Sequence, residues 1–445
     1  MRILIVSAFF PPINSVASLR PHSWAKYWSQ QGHNVTVVTQ RKKQEQAHAL
    51  KYEDGDYLVL AVEETKWIRS LKRLYQRGSS RENFSQGQQG AVRKRGFRKF
   101  LAGCFNALRE KRGVFNSIRM PDFSDLWVSP AVEAVMDRGE EWDVVVSSFG
   151  PYSSHKIALY LKRKGIAKHW IADFRDLWTD HHFFKGLFPF TLFEKMLERR
   201  VVTCADVVTV VSKGMQEVLG KKYPGKRVHL VENGYDPDDL QTISSEPFFP
   251  SDGKRRLVYT GMIYKGKRDP SPLFQAIAEL AKDPRHASLL QKLEVLFAGP
   301  LMANLDELIE QHQVSNWVKN LGVLAREDAL RLQRDADTLL FLEWGDPSAK
   351  YMLTGKLFEY LSSATPILSL GALLDSEPSY LIGKANAGVS LPNEPKKIKE
   401  YLVGFLSRSS VDKVSCCQEI LDKYSRKNLA FTLLGCIENN NSREK

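Results

Sequence analysis

A chain of 445 residues with 43% hydrophobic content is long enough for two or three globular domains, each with a core of its own. Lysine and arginine number 64 against 51 acidic residues, and the resulting net charge of +13 favours an anionic partner. The five cysteines have no metal-ligand spacing and fit a reducing compartment, and no apolar run approaches the roughly 18 residues of a membrane-spanning helix. The apolar residues 3–10 are interpreted as a first strand and not as a signal peptide.

The first part of the chain predicts a βαβ unit. Residues 2–7 form a buried-strand run, residues 9–20 form a loop, Trp24 and Trp28 mark a helix, and residues 33–39 form a second strand. Because ligands of parallel sheets lie beyond the carboxyl ends of the strands, we expect the loop to line a cleft.

Residues 66–119 differ in character from the rest of the chain. Two apolar stripes at helical spacing flank a polar loop, and basic residues surround the second stripe. This pattern is typical of a helix that lies on an anionic membrane. A helix packed on the domain with a solvated basic face is one alternative, and nucleic-acid binding without a recognisable motif is another. The predicted membrane-contacting residues are Arg93, Lys94, Arg95, Phe97, Arg98, Lys99, Phe100 and Phe105.

A regular αβ pattern returns after residue 142. The strand 143–148 leads into a helix that begins near His155, and the strand 169–173 leads into the sequence DFRDLW. A charged helix at 191–200 and a strand at 205–212 follow. Polar side chains at the strand ends are expected to face the cleft.

The second half begins with a strand at 256–260 and contains the stretch 355–371. There Thr354 is expected to cap a helix, Pro366 to stop it, and residues 367–370 to form a buried strand. Glu359 lies early on this helix, whose positive end suits an anion, and its carboxylate can accept hydrogen bonds from two sugar hydroxyls. A solvated surface glutamate is the alternative. Residues 424–437 predict an amphipathic terminal helix.

The order and spacing of these motifs resemble the retaining GT-B glycosyltransferases of family 4, of the bacterial cell-surface polysaccharide type. The resemblance is carried by FPP…R…GHNVTVVT, by Pro–Ser–His followed by DFRDLW, by the NGYD turn, and by the glutamate before a proline turn and strand. It implies an α/β GT-B fold with two Rossmann-like domains facing across a cleft. The implied divisions are an acceptor-binding domain at 1–230 with the insertion 66–119, a nucleotide-sugar domain at 254–420, and a helix at 421–445 that packs back on the first domain.

The resemblance also implies a donor site in the second domain. Met262 stands where the family commonly has an arginine, and Tyr351 stands where it often has the first glutamate of an E-x7-E arrangement. The implied donor-binding residues are Gly261, Lys267 and Arg268 at the diphosphate, Val323 at the base, Tyr351 and Lys356 at the sugar, and Glu359 at the ribose.

In the first domain, Asn14 and Ser15 replace the usual Gly-Gly pair of the family, and Arg20 either faces the donor phosphate or forms a salt bridge on the loop. Sugar transfer needs a donor to the leaving phosphate and an acceptor for the hydroxyl proton. Arg175 and Lys267 suit the first role, and Asp173 or His155 suits the second. A salt-bridged turn formed by Arg175 with Asp173 or Asp176 is the alternative.

The sequence therefore predicts a glycosyltransferase that moves a sugar from a nucleoside-diphosphate sugar, with uridine as the expected base, to a lipid-linked or surface-glycan acceptor with retention. No cofactor, metal or nucleic acid is expected, and the expected location is the cytoplasmic face of the membrane. Residues 261–267 also match GxxxxGK, but Arg268 replaces the Ser or Thr of a P-loop nucleotide hydrolase. A non-catalytic membrane- or nucleic-acid-binding protein is the remaining alternative.

Overall fold

The computed structural model covers the chain, and its placement is described for the following residues: 1–41, 50, 55–63, 123–180, 188–263, 267–300, 304–345, 350–373 and 375–441. All the predicted membrane-contacting residues, from Arg93 to Phe105, lie outside the described residues.

Within the described residues, the first sheet has seven parallel strands in the order β3-β2-β1-β4-β5-β6-β7. Strand β1, beside the central strand β4, is apolar and buried from Ile3 to Val6, as expected for a strand covered on both faces. The strands are β1 (Arg2–Val6), β2 (Asn34–Gln40), β3 (Tyr57–Val62), β4 (Trp142–Ser148), β5 (Ala167–Phe174), β6 (Val207–Val210) and β7 (Val228–Leu230).

The second sheet has six parallel strands in the order β10-β9-β8-β11-β12-β13. These are β8 (Arg255–Thr260), β9 (Leu293–Ala298), β10 (Val318–Asn320), β11 (Thr338–Leu342), β12 (Ile367–Leu370) and β13 (Gly388–Leu391). The predicted α/β class with two parallel sheets is confirmed. The exact domain boundaries stay predictions.

Helices connect and cover the strands of both sheets. In the first half they are α1 (Val16–Gln30), α2 (Val128–Met136), α3 (Ser153–Arg163), α4 (Phe190–Cys204) and α5 (Lys213–Lys222). The chain then runs through α6 (Pro237–Thr242), α7 (Ser271–Ala281), α8 (Leu305–Gln311), α9 (Arg326–Asp335), α10 (Gly355–Ser362), α11 (Glu377–Lys384), α12 (Pro395–Ser407), α13 (Gln418–Lys423) and α14 (Arg426–Asn441). Short 3-10 helices occupy Phe123–Trp127 and Leu289–Lys292.

Helix α1 begins earlier than the sequence predicts. Ser15 caps it by accepting a hydrogen bond from the backbone N–H of Ser18, and the helix continues through Pro21. The prediction of a loop over 9–20 is therefore wrong for its last five residues. Arg20 lies inside the helix, so the helix and not a loop determines the direction of its side chain.

The terminal helix α14 packs on the first sheet, although it follows the second sheet in the chain. Leu429, Ala430 and Leu433 share one apolar cluster with Trp24 and Trp28 of α1 and with strand residues of the first sheet. The indole nitrogen of Trp28 donates to the carbonyl of Ala430 at 3.0 Å. The chain thus crosses between the two halves twice: the first crossing follows β7, and the second crossing precedes α14.

The two crossings touch each other at Gly234. A Cβ atom on this residue would lie 2.0 Å from the carbonyl oxygen of Tyr424, so no side chain fits there. The next residue, Tyr235, exchanges two backbone hydrogen bonds with this second crossing, donating to Tyr424 and accepting from Arg426. The NGYD turn is therefore a junction of two chain segments.

The Leu433→Ala variant tests how strongly α14 is held. Leu433 is 0% exposed, so we expect the variant to lower the free energy of unfolding by about 2–5 kcal/mol. Urea unfolding measures the change, and Leu192→Ala, at a site 52% exposed, is the matched control. Equal stability of the two variants would show that α14 is not part of the core.

Candidate functional site

The amino end of α10 faces the end of β8 and presents unpaired hydrogen-bond donors. Thr354 occupies the cap position as predicted, but its side chain makes no capping hydrogen bond. Its hydroxyl oxygen is buried and has no partner among the described residues. Backbone N–H groups at a helix start also lack partners within the helix. This end of α10 is thus suited to an anion.

Lys356, in the first turn of α10, brings a positive charge to the same place. Its ammonium nitrogen lies 3.6 Å from the centre of the Tyr259 ring, and within the described parts of the chain no carboxylate lies within ion-pair distance of it. Burial, together with the positive charge of Arg268, holds the pKa of Lys356 well below its usual range, although Glu359 opposes the shift. Among the described residues, this desolvated amine therefore has no carboxylate at ion-pair distance.

Gly261 provides the space that Lys356 occupies. A Cβ atom on Gly261 would lie 2.5 Å from the Lys356 ammonium, and the residue has φ of +124°, which favours glycine. The structure thus brings two of the predicted donor residues, Gly261 and Lys356, into contact.

Lys267 and Arg268 gather on the ring of Trp344, just after β11. The Lys267 ammonium lies 4.4 Å from the ring centre, and the Arg268 guanidinium lies 5.8 Å from it. Arg268 has φ of +53°, a left-handed conformation that costs a non-glycine residue energy and that it shares with Asn304, Gln313, Ala364 and Asn386. The predicted diphosphate cations are therefore held beside the site, on an aromatic ring that the sequence analysis missed.

Glu359 is half-buried on α10 and is not a solvated surface residue. Its Oε1 accepts from Nη2 of Arg326 at 3.1 Å, and the same guanidinium forms an ion pair with Asp239 of α6. Burial lowers the pKa of Arg326, but the two carboxylates outweigh burial and raise it. Sequence reasoning missed Arg326, because no local pattern places residue 326 beside residue 359.

The amino end of α1 faces the amino end of α10 across the two halves. A Cβ atom on Gly355 would lie 3.2 Å from Cγ1 of Val16. Ser15 caps α1, and Asn14 is exposed before it. The residues that replace the Gly-Gly pair therefore lie just before a helix end that contacts the donor-side helix, and their role as acceptor-cleft residues stays a prediction.

Arg20 does not face an open anion site. It forms a two-pronged ion pair with Asp173, with N–O distances of 2.7 and 3.1 Å, and it also donates to the carbonyls of Val231 and Glu232. Arg20 is 4% exposed and Asp173 is 0% exposed. The salt-bridge alternative for Arg20 is therefore the one observed, with Asp173 as the partner. The prediction that Asp173 faces the cleft as a proton acceptor is wrong.

His155 is also buried and not at the mouth of the cleft. Its ring is 0% exposed, accepts or donates one hydrogen bond at 2.7 Å to Ser147 Oγ, and lies 4.7 Å from the Phe174 ring. Burial lowers the pKa of His155 to about 3. The prediction that His155 faces the cleft is wrong, because helix α3 turns this position toward the sheet.

Arg175 is bound to the end of β4. It donates to Ser148 Oγ and to the backbone carbonyls of Phe149 and Gly150 at 2.8–3.1 Å, while Asp176 is exposed. These contacts fix the turn through a hydroxyl and two carbonyls, and among the described residues Arg175 forms no ion pair with Asp173 or Asp176, the partners of the salt-bridge alternative.

The remaining two donor predictions fall at different places. Val323 is 43% exposed and follows Gly322, which has φ of +67°. The ring of Tyr351 packs against Gly214 of α5, so a Cβ atom there would lie 2.8 Å from it. Tyr351 therefore forms a contact between the two halves of the chain.

The P-loop alternative does not fit the structure. A P-loop leads directly into a helix whose first residues follow the conserved lysine. Here α7 begins at Ser271, four positions after Lys267, and the Lys267 ammonium lies on an aromatic ring.

No helix among the described residues combines the length and apolar character needed to cross a bilayer. The same residues contain no group of three or more His, Cys, Asp or Glu side chains that could hold a metal ion.

The buried His155 predicts acid sensitivity. Its pKa is about 3 in the folded chain against an ordinary 6.5, so the unfolded chain binds the proton first as the pH falls. The stabilising contribution is complete above pH 6.5 and is lost on acidification toward pH 3, by up to about 1.4 kcal/mol per pH unit. Urea unfolding between pH 4 and 7 should give a shallower dependence for His155→Gln than for the wild type. Identical slopes would mean that the folded protein protonates His155 freely.

Comparison with known proteins agrees with this geometry. Residues 21–239 match the model of Glycosyltransferase Family 4, and a search of curated proteins finds no significant match. An E. coli trehalose-6-phosphate protein bound with UDP-2-fluoro glucose is similar in structure, with TM-score 0.61, 10% identity, and coverage of 98% of this chain and 99% of that one.

Two further structures cover nearly the whole chain. Anabaena HepE in complex with UDP has TM-score 0.58 and 13% identity, with 99% and 100% of the two chains covered. A glycosyltransferase from Rickettsia africae has TM-score 0.56 and 14% identity, with 99% and 98% covered. At these identities the likeness shows the fold, which confirms the predicted GT-B architecture. The family match over residues 21–239 and this fold together support a transferase enzyme, a glycosyltransferase.

Proposed function

We propose that the protein transfers a sugar from a nucleoside-diphosphate sugar, a UDP-sugar, to a lipid-linked or surface-glycan acceptor with retention of configuration. The observation that carries this proposal is the desolvated Lys356 amine at the amino end of α10, which has no carboxylate at ion-pair distance among the described residues, with the Glu359 carboxylate one turn further on. A diphosphate would supply the missing negative charge, and a ribose would supply hydroxyl donors. The UDP ligands of two similar structures support the choice of base.

The leaving group is a nucleoside diphosphate, whose negative charge increases as the bond to the sugar breaks. Lys356, Lys267 and Arg268 would stabilise that charge together with the backbone N–H groups of α10. The proposed reaction therefore needs no resident metal or cofactor. Since His155 and Asp173 are buried, the departing diphosphate is itself the base available for the acceptor's proton.

Glu359 would orient the donor through its ribose. One carboxylate oxygen already accepts from Arg326, which fixes the side chain, and the carboxylate keeps further lone pairs for sugar hydroxyls. Val323 and Gly322 would lie along the base. The acceptor would enter from the first half, near Asn14 and Ser15, and closure of the two halves would bring it to the donor.

The sequence of the first half is the reason for proposing a membrane-linked acceptor. The basic and aromatic residues from Arg93 to Phe105 have the composition of a segment that binds an anionic surface. Peripheral attachment to the cytoplasmic face of the membrane, where lipid-linked acceptors are accessible, follows from this proposal.

A thermal-shift panel with the matched variant Glu359→Gln tests the donor site. UDP-glucose, GDP-mannose, ADP-glucose and the free diphosphates are the probes, and a bound one stabilises by about 2.7 kcal/mol at a hundredfold excess over Kd. We expect a uridine nucleotide to raise the melting temperature, and Glu359→Gln to weaken its binding by about 1–3 kcal/mol. Glu400→Gln, at an exposed site on α12, should bind as the wild type does. A panel without any shift would overturn the proposed donor.

Lys267→Ala separates binding from chemistry. The leaving-group charge develops only in the transition state, so the variant should lower kcat more than it raises the Kd of the nucleotide. Hydrolysis or transfer of UDP-glucose, followed through released UDP, measures kcat, and calorimetry measures Kd. Lys282→Ala, at an exposed position after α7, is the control. Loss of affinity with unchanged kcat would assign Lys267 to ground-state binding alone.

A further inference from the structure

The start of helix α4 exposes an unusual amount of apolar surface. Phe188, Leu192, Phe193 and Met196 are 75%, 52%, 54% and 50% exposed. Leu192, Phe193 and Met196 lie within about one turn on one side of the helix and form one patch, and Phe188 lies just before its first residue. Exposed apolar patches of this kind mark interaction sites.

The exposed charges of α4 itself are all positive. Lys195, Arg199 and Arg200 are exposed on the same helix, whereas its two acids, Glu194 and Glu198, are 0% exposed. Glu198 is turned inward to Lys222 and Tyr223. The exposed side of α4 therefore combines an apolar patch with three cations and has no carboxylate from its own helix.

We propose that this α4 face, defined by Phe188, Leu192, Phe193, Met196, Lys195, Arg199 and Arg200, docks on an anionic lipid surface. Apolar side chains inserted at the headgroup boundary and cations beside them are the two components of interfacial binding. Each cation near such a surface contributes about a fivefold gain in affinity, screened by salt.

Charge complementarity favours an anionic lipid surface over two other possible occupants of the α4 face. The chain's own segment from Arg93 to Phe105 is strongly basic, so it would be repelled by the α4 face. A second copy of the chain would bring six cations together across a two-fold interface. An anionic partner is the complementary one.

The position of the α4 face also suits the proposed acceptor. Helix α4 follows β5, and the backbone N–H of Thr179, five residues beyond the end of β5, donates to Glu198 of α4. This contact places α4 near the carboxyl ends of the strands, the edge at which ligands of parallel sheets bind. Docking on the lipid surface would bring the acceptor-binding half to a membrane-linked substrate. Only this purpose of the docking rests on the proposed function.

Vesicle co-sedimentation of the full chain tests the proposal. Vesicles of phosphatidylcholine with 30% phosphatidylglycerol are compared with pure phosphatidylcholine at low and high salt. We expect the triple variant L192Q/F193Q/M196Q to lower the partition coefficient at least roughly tenfold at both salt concentrations. R199Q/R200Q should lower it roughly twentyfold at low salt and less at high salt. Tyr380→Gln, which removes a side chain 63% exposed on α11, should bind as the wild type does.

The other outcomes are distinguishable. If the triple variant sediments with vesicles as the wild type does, α4 has no role in binding. If only F97S/F100S/F105S loses vesicle binding, attachment belongs to the segment that contains those residues. If light scattering shows that the wild type is a dimer and the triple variant is a monomer, the α4 face is an interface between copies and the proposal is wrong. The thermal shift with UDP-glucose, measured on every variant, shows whether the variant is folded and tests the donor site independently.

Discussion

The buried ion pair between Arg20 and Asp173 connects most of the parts on which the site depends. Its guanidinium comes from α1 and its carboxylate from the end of β5, and Thr209 of β6 donates to the same carboxylate at 2.8 Å. Arg20 also binds the carbonyls of the first crossing between the two halves. Because an unpaired buried charge costs about 3–5 kcal/mol, this set of contacts fixes α1 relative to the sheet and to the crossing. The capped end of α1 is thereby held against Gly355 of α10.

The donor side depends on the opposite condition, a basic group without an ion-pair partner. In the part of the chain that the structure describes, Lys356 is desolvated over Tyr259 with no carboxylate at ion-pair distance, an arrangement that destabilises the free protein. An anion bound there would recover that free energy, so the folded chain stores part of the binding free energy in advance. The left-handed conformation of Arg268 has the same character, since strain of this kind persists only where surrounding structure enforces it. Structure and charge thus point to one place, between β8 and α10.

The sequence was informative wherever the signal is local. Continuous apolar runs identified β1, β4 and β8, and helical spacing with Thr354 and Pro366 located α10 and Glu359. It failed where a residue's role depends on a distant partner. His155 lies after β4 and Asp173 lies at the end of β5, where cleft residues of parallel sheets are found. Packing instead buries His155 in the core, and Asp173 forms an ion pair with Arg20, which is 153 positions away. The short strand β13 also escaped, because four residues carry no usable period.

Arg326 shows why such partners matter for mechanism. It joins Glu359 on the donor helix to Asp239 on α6, directly after the first crossing between the halves, and its side chain is 19% exposed. A movement of α6 relative to α10 must therefore stretch or exchange an ion pair that water screens little. A ribose bound to Glu359 would compete for the same carboxylate and alter that pair. The donor helix and the crossing segment are consequently not independent, and closure of the two halves acts on the same carboxylate that is proposed to hold the nucleotide.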